Sequence, residues 1–244
     1  MATILEQGSI TSQADAREHA YRIQVLDQGC LAELSAFQQK TYDQMPDKRL
    51  YAPIGDAMFR AVLGEQGITL GLVLGEQLHG FVCFYFPGDD KENLGRDAGL
   101  CGQELKQVVH WERCLIAPEF RGNNMQFRMG ELLVKATAAY NRTYRYMCAT
   151  VAPNNYPSLH QLFEQQQMVA VNLKKKYGDL WRLVFFKDIQ QPFHASPDDV
   201  VAVDCTDLER QLDLFQQGYY AFQVLLENDG VKTLFSKNCF KMVC

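Results

Sequence analysis

An arginine–glycine segment between a strand-like run and a helix-like run is the strongest chemical signal in the chain. The segment reads PEFRGNNMQ and contains Arg121 followed by Gly122. A helix that begins after such a turn leaves its first N–H groups unpaired, and its dipole favours an anion there. Arg121 adds a permanent charge, and Gly122 allows close approach to the backbone. The segment predicts a phosphate or pyrophosphate site, although such Arg-Gly junctions are also common as purely structural turns.

Hydrophobic periodicity indicates the elements that must position this segment. It predicts the order β-α-α-β-β-β-α-β-α-β-β. Residues 1–19 are polar and aperiodic, which predicts a loose leader, and the Gly-rich residues 87–107 predict a loop. The strands are expected at 21–26, 68–74, 79–86, 108–116, 146–151, 168–174 and 180–186, and the helices at 31–42, 56–63, 126–141 and 157–167.

The last part of the chain, residues 190–244, follows a Gln-Gln-Pro break. Thr206 and Glu209 have the spacing of a capping box, which predicts a helix over residues 208–217. The turn Asn228-Asp229-Gly230 predicts a hairpin between strands 219–227 and 231–236. An isolated hairpin is marginally stable in water, so we expect this extension to dock on the main sheet or on a second subunit.

Composition narrows the class of protein. The 244 residues are 47% hydrophobic and 22% charged, with a formal net charge of -5, which does not favour a nucleic-acid partner. We find no secretory leader, and no apolar run long enough to span a membrane. The eight cysteines form no CxxC pair, and no spacing of ligands suggests a metal. We therefore expect a cytoplasmic protein with reduced thiols.

Two segments in the right order resemble signatures of the GCN5-related N-acetyltransferase (GNAT) family. CLIAPEFRGNNMQFRMGELLVKA resembles the family's acetyl-CoA loop, and NNYPSLHQLFEQQQMVAV resembles its second signature. KKKYGDLWRLVFFKDI is similar to the ending of a group of bacterial members. The resemblance covers residues 21–189 and implies an α/β (α+β) fold, with a mixed, twisted central sheet flanked by helices. It implies an acyl-CoA-binding domain at 21–189, between the leader 1–20 and the C-terminal helix-plus-hairpin extension 190–244.

The resemblance also implies a reaction, in which an acetyl group passes from acetyl-CoA to the primary amine of a small molecule. The amine would attack directly in a ternary complex. An ammonium ion has no lone pair, so a base must first remove its proton. Glu112 lies on the strand where several members carry that base, and period two predicts that it shares a face with His110 and Cys114. The alternatives for Glu112 are a salt bridge with Arg113 or another cation, and a solvated position at a strand edge. Tyr156 is the expected catalytic partner, with Tyr177 as another candidate for the general acid.

Cofactor contacts follow from the resemblance position by position. Backbone groups of Cys114 and Ile116 would hold the pantetheine arm, and Asn155 and Ser158 would lie along it. The pyrophosphate would be wrapped by the six residues of the loop, namely Arg121, Gly122, Asn123, Asn124, Met125 and Gln126.

Three departures from the family pattern favour a rival interpretation. Asn124 and Gln126 stand where the loop usually has Gly and Gly or Ala, and Phe163 stands near the usual position of an acidic Tyr. A non-catalytic acyl-CoA-binding or regulatory module would tolerate these changes. A purely structural protein would bind no CoA at all.

The identity of the acceptor is less constrained by the sequence. The 87–107 loop contains Asp89, Asp90, Glu92 and Asp97, which slightly favours a cationic acceptor, although a solvated loop has the same composition. The run Lys174–Lys176 would attract acidic CoA or simply end a strand in solvent. The sequence leaves a homodimer open.

Overall fold

The chain divides into two units built from interleaved stretches of sequence. The computed structural model describes residues 3–140, 142–228 and 230–238, without the side chains of residues 197, 198 and 238. The first unit comprises Met1–Phe86 and His110–Thr143, and the second comprises Pro87–Val109 and Tyr144–Cys244. Among the described residues, no helix is both long enough and apolar enough to cross a membrane.

The first unit is built on antiparallel strands that follow one another in chain order. They are β1 (Ile4–Thr11), β2 (Glu18–Leu26), β3 (Gly67–Leu74), β4 (Gln77–Tyr85) and β5 (Val108–Ile116), and the first two residues of β5 belong to the second unit. Its helices are α1 (Leu31–Asp43), α2 (Asp56–Leu63) and α3 (Met125–Ala139).

Aromatic side chains fix which face of this sheet each helix covers. Phe81 of β4 makes edge contacts with Phe37 of α1 and Phe59 of α2, at centroid distances of 6.1 and 5.7 Å. Trp111 of β5 lies against Gly130 of α3, where an added Cβ would stand 2.3 Å from the indole. Successive strand residues point to opposite faces. The helices α1 and α2 therefore cover one face and α3 covers the other.

The second unit is also antiparallel in its described pairs, with the strand order β6-β8-β7-β10-β11-β9. Its strands are β6 (Tyr146–Val151), β7 (Val169–Lys176), β8 (Leu180–Asp188), β9 (Ala195–Asp204), β10 (Tyr219–Glu227) and β11 (Gly230–Asn238). Its helices are α4 (Tyr156–His160), which continues as a π turn over Gln161–Gln165, and α5 (Leu208–Gln216).

The loop between β4 and β5 packs on one face of the second unit's sheet. It forms two 3₁₀ turns, Leu94–Ala98 and Gly102–Gln107, so it is more ordered than the sequence indicated. Their apolar side chains join a cluster with residues of β6 and β8. Its buried members are Leu94, Leu100, Leu105, Val108, Tyr146, Cys148 and Val184.

The predicted hairpin is present and extends this sheet, because Ala221 of β10 pairs with Ala170 of β7. Helix α5 lies where it was predicted, but its N-cap is Asp207, whose carboxylate accepts from the backbone N–H of Arg210. Thr206 therefore does not cap this helix. Residue 229 of the predicted turn lies outside the described residues, as does residue 141 at the predicted end of α3.

Two strands were not predicted. Ile4–Thr11 pairs with β2, which differs from the loose leader expected there, and Ala195–Asp204 pairs with β11. Each is the terminal strand of the order in its unit. Terminal strands have one free edge and tolerate polar residues and proline, so neither has a strong hydrophobic alternation.

Candidate functional site

The Arg-Gly segment forms a turn with two left-handed residues directly before α3. Gly122 has φ 79° and Asn124, the N-cap of α3, has φ 58°. Asparagine adopts this conformation more readily than most residues, so it can replace the usual glycine at the turn. The first intrahelical bond runs from Arg128 N to Asn124 O. The N–H groups at the start of a helix point toward the residues that precede it, which here form the turn.

The end of β1 and the residues after it brace this turn. The side-chain amide of Asn123 donates to the carbonyl of Thr11 at 2.9 Å, and that of Gln13 donates to the carbonyl of Arg121 at 2.9 Å. The backbone N–H of Gln13 donates to Glu119 O at 2.7 Å. The cofactor contact expected of Asn123 stays a prediction, while in the structure its amide nitrogen holds the turn. This role needs β1, which the sequence analysis missed.

Arg121 links the turn to the end of β5. Its Nε donates to the carbonyl of Ile116 at 3.2 Å, while the residue stays exposed. Partial desolvation lowers the pKa of Arg121 from its ordinary value, but a guanidinium remains charged at neutral pH. Ile116 was predicted to offer a backbone group to a ligand, and its carbonyl already accepts this bond. A carbonyl oxygen has a second lone pair, so a further contact there stays feasible.

Strand β5 contains a β-bulge at Glu112. Cys83 of β4 pairs with Arg113, whereas the next residue, Phe84, pairs with Trp111, so Glu112 is the extra residue. A bulge interrupts the side-chain alternation and leaves backbone groups out of the ladder. The expectation that Glu112 shares a face with Cys114 depended on uninterrupted alternation and does not hold. Instead, Glu112 joins Arg113 on the face covered by α1 and α2.

The carboxylate of Glu112 lies in a buried polar cluster. Its Oε1 is 3.0 Å from Nη1 of Arg113, and its Oε2 is 3.8 Å from Nδ1 of His110. The exposed fractions of these side chains are only 9% for Glu112 and 8% for Arg113. Arg113 also donates from Nε to the carbonyl of Ala52 at 3.0 Å and from Nη1 to the carbonyl of Glu112. The bulge thus turns two adjacent, oppositely charged residues to one side.

The chain between α1 and α2 forms a wall beside this cluster. Tyr51 donates its hydroxyl to Gln38 Oε1 at 2.8 Å, and the Gln38 amide donates to Ile54 O at 2.8 Å. The guanidinium of Arg113 lies 5.9 Å from the centre of the Tyr51 ring. Burial raises the pKa of Tyr51 far above its ordinary value, so its phenol is neutral. Arg113 was considered from the sequence only as a salt-bridge partner of Glu112, and Tyr51 was not singled out, because the bulge that gathers them leaves no sequence signal.

Cys114 is unsuited to act as a nucleophile. Burial raises the pKa of its thiol to about 12, so it is protonated at neutral pH. The active nucleophile of a cysteine is its thiolate. All six described cysteines are free, and Cys239 and Cys244 lie outside the described residues.

The remaining predicted site residues lie in the second unit, around the start of α4. Asn155 is its N-cap, and Oδ1 accepts from the backbone N–H of Ser158 at 3.4 Å. Tyr156 is the first residue of α4, and its ring lies 5.7 Å from that of His160. Phe163 is only 3% exposed and packs on Phe185 at a centroid distance of 4.7 Å. The position of the usual family Tyr is therefore filled by a core side chain.

Tyr177 lies at the turn between β7 and β8. It has φ 56°, an uncommon conformation for a bulky residue, and is 38% exposed. Its hydroxyl lies 3.1 Å from Oγ1 of Thr150, next to the last residue of β6. Lys176 Nζ and Arg182 Cζ lie 5.4 and 5.9 Å from the ring centre.

Two of the four acidic residues named in the 87–107 loop pair with the lysine run. Lys174 Nζ lies 2.6 Å from Asp97, and Lys176 Nζ lies 2.8 Å from Glu92. Charges that neutralise each other attract neither a cationic acceptor nor CoA strongly. These pairs weaken the argument for a cationic acceptor drawn from this loop, and the charge of the acceptor stays a prediction.

The structure thus gathers the predicted residues into two sets. Glu112, Cys114, Ile116 and the Arg121–Gln126 loop belong to the first unit, and Asn155, Tyr156 and Ser158 belong to the second. That both sets line one site stays a prediction.

Comparison with known proteins shows the fold. No family model and no curated protein matches the sequence. Among solved structures, Arabidopsis thaliana NAA60 in complex with acetyl-CoA matches with a TM-score of 0.52 and 14% identity, covering 70% of this chain and 99% of that one. A GNAT-family acetyltransferase from Streptococcus pneumoniae matches with a TM-score of 0.52 and 15% identity, covering 69% and 99%. The yncA protein of Salmonella typhimurium with its cofactor acetyl-CoA matches with a TM-score of 0.51 and 13% identity, covering 73% and 98%. The predicted α/β fold class is confirmed, and the chain has the fold of the GNAT N-acetyltransferases.

Proposed function

We propose that this protein transfers an acetyl group from acetyl-CoA to the primary amine of a small molecule. The observation that carries the proposal is the turn before α3, where Gly122 and Asn124 are left-handed and Arg121 is exposed. Such a turn points backbone N–H groups at one place beside a permanent cation, which suits a pyrophosphate. Two solved proteins of the same fold contain acetyl-CoA, which supports this choice of ligand.

Glu112 is the proposed general base. The acceptor amine arrives as an ammonium ion, gives its proton to the carboxylate and attacks the thioester carbon. The C–S bond breaks, and a proton returns to the leaving thiolate. The Glu112 side chain is only 9% exposed, so we propose that a slender, unbranched primary amine reaches it most readily. A backbone N–H released by the bulge is the proposed donor to the oxyanion.

Direct attack is favoured over a covalent acyl-enzyme. Cys114 is the cysteine nearest to Glu112 in sequence, and its raised pKa disfavours the thiolate that a ping-pong route requires. The free state of the six described cysteines suits a reducing compartment, which supports the cytoplasm as the location.

Two tyrosines compete for the role of general acid. Tyr156 was the candidate chosen from the sequence, and it stands beside Asn155 at the start of α4. Tyr177 has a hydroxyl anchored on Thr150 near the end of β6, together with an uncommon backbone conformation. Such conformations cluster at functional sites. We propose Tyr177 as the second candidate, and replacing each by Phe will distinguish them, because only the acid's loss lowers turnover with an unchanged acetyl-CoA affinity.

The test of the base uses Glu112→Gln, with Glu131→Gln on the exposed face of α3 as the matched control. Release of CoA is followed with a panel of polyamines, amino acids, aminoglycosides and a peptide with a free N-terminus. Loss of a general base lowers turnover by about 10²–10⁴-fold. We expect that loss in Glu112→Gln alone, with acetyl-CoA affinity retained. Turnover close to that of the wild type would remove Glu112 from the mechanism.

A non-catalytic acyl-CoA-binding module is the rival function. The observation that favours it is the buried Phe163, which leaves no hydroxyl at the usual acid position. Acetyl-CoA binding without CoA release across the whole panel would support the rival.

A further inference from the structure

A cavity of about 530 Å³ lies wholly within the second unit, at the end of β6 opposite to α4. Tyr146 begins β6 and Val151 ends it, so the two ends are about 16 Å apart at 3.3 Å per residue. The cavity is therefore separate from the group formed by Asn155, Tyr156 and Ser158. Its volume lies in the range of small-molecule sites.

Aromatic and aliphatic side chains form most of the cavity wall. Tyr146 and Phe186 stack at 5.7 Å with an angle of 25° between their rings, and Phe193 lies 5.9 Å from Tyr220. Phe186 and Val171 are only partly buried against the neighbouring core cluster, so the cavity leaves apolar surface uncovered. Aromatic faces arranged in this way suit a flat apolar body and also attract cations.

The charged side chains of the wall differ in how fully their hydrogen-bonding capacity is used within the protein. Asp188 is satisfied internally, because Arg145 donates to both of its oxygens at 2.7–3.1 Å. Glu104 accepts from the Tyr146 hydroxyl and from the backbone N–H of Cys101, each at 3.3 Å. Within the described part of the chain, Glu104 forms no salt bridge, although the charge of Arg145 acts on it. Lys187, the other cation of the wall, donates from Nζ to the carbonyl of Gln166 at 2.7 Å. A carboxylate has about four lone-pair sites, so two remain for a ligand.

We propose that this cavity is a second ligand site, which binds a flat aromatic amine in its cationic form. The ring system lies against Tyr146, Phe186 and Phe193, and the ammonium group donates to Glu104. This inference does not rest on the proposed acetyl transfer, because none of its residues belongs to the acyl-CoA or base machinery.

Three related probes test the charge requirement, namely naphthylmethylamine, naphthylmethanol and naphthoate. Each is titrated into the full chain without acetyl-CoA, and binding is followed by naphthalene fluorescence. A charged hydrogen bond to Glu104 is expected to make the amine bind about ten-fold more tightly than the alcohol. Naphthoate is expected to bind most weakly. Equal affinities for the amine and naphthoate would overturn the proposal.

Cys101 supplies a reporter of position, because it lines the cavity and is exposed with a free thiol. Its alkylation by iodoacetamide is followed by peptide mass spectrometry. The bound amine is expected to slow this alkylation, and an unchanged rate at saturating amine would overturn the proposal.

Two variants test the assignment of the wall. Glu104→Gln keeps both shape and acceptor, and it is expected to remove the ten-fold preference for the amine, whereas Glu164→Gln on an exposed position leaves it intact. Val171→Trp fills the cavity and is expected to abolish binding, with a melting curve to confirm folding. If Val171→Trp fails to fold, the comparison of Glu104→Gln with Glu164→Gln still tests the site. An unchanged preference for the amine in Glu104→Gln would refute the proposal.

Discussion

The ion pair between Glu112 and Arg113 offers a direct test of the bulged strand. Arg113→Met removes the cation 3.0 Å from a carboxylate that is only 9% exposed. Removing one partner of a buried pair costs about 3–5 kcal/mol, because the remaining charge is left without compensation. For a chain of this size, each kcal/mol lowers the melting temperature by about 2–4 °C. We therefore expect Arg113→Met to melt about 6–20 °C below the wild type.

The matching double variant separates charge burial from lost packing. Glu112→Leu combined with Arg113→Met replaces the pair by apolar groups, an exchange that is often close to neutral. We expect the double variant to recover most of the stability lost in Arg113→Met, as measured by thermal and urea unfolding. A loss below about 1 kcal/mol in Arg113→Met would refute the reasoning, as would a double variant less stable than the single one.

Three further outcomes follow from the first unit. Arg121→Ala is expected to weaken acetyl-CoA binding measured by calorimetry while leaving the melting temperature almost unchanged; equal affinity would count against the turn as a pyrophosphate site. Gly130→Ala places a methyl group against Trp111, and the overpacking cost of about 1–3 kcal/mol outweighs a helix-propensity gain of about 1 kcal/mol. Its melting temperature should fall, and a rise would mean that the indole relaxes freely. Burial lowers the pKa of His79 in the folded protein, although the nearby carboxylate of Glu119 opposes this shift. The unfolded chain, in which the pKa of His79 is about 6.5, therefore binds the proton before the folded chain does as the pH falls. Stability should therefore decline as pH falls from about 7 to 5, and less so in His79→Gln; parallel profiles would contradict this.

Sequence periodicity predicted most of the fold because its inner strands carry continuous or alternating apolar residues. The bounds of β5 and β6 agree with prediction to the residue, and α2 does as well. It failed at β1 and β9, which lie at the ends of their strand orders. The partner of β9 is β11, which lies far along the chain, whereas β1 pairs with the nearby β2 and was missed because its own residues are mostly polar.

The candidate site also combines features that could be predicted from the sequence with features that could not. The left-handed turn at Gly122 and Asn124 could be anticipated, because these residue types tolerate positive φ. A salt bridge between Glu112 and Arg113 was one of the alternatives left open by the sequence, but the bulge that turns both side chains to one face could not be predicted, because adjacent strand residues ordinarily point to opposite faces. The use of Asn123 to hold the turn required knowledge of β1, which the sequence did not reveal.

The central claim is acetyl transfer, and the most direct measurement is amine-dependent release of CoA from acetyl-CoA by the full chain. Thiol appearance is recorded for each amine of the panel, alongside calorimetric titration of acetyl-CoA in the absence of amine. The account predicts saturable binding of acetyl-CoA and release of CoA with at least one primary amine, reduced about 10²–10⁴-fold in Glu112→Gln and unchanged in Glu131→Gln. Binding without release for every amine would contradict catalysis and support the regulatory module, and absence of binding would contradict the acyl-CoA site itself.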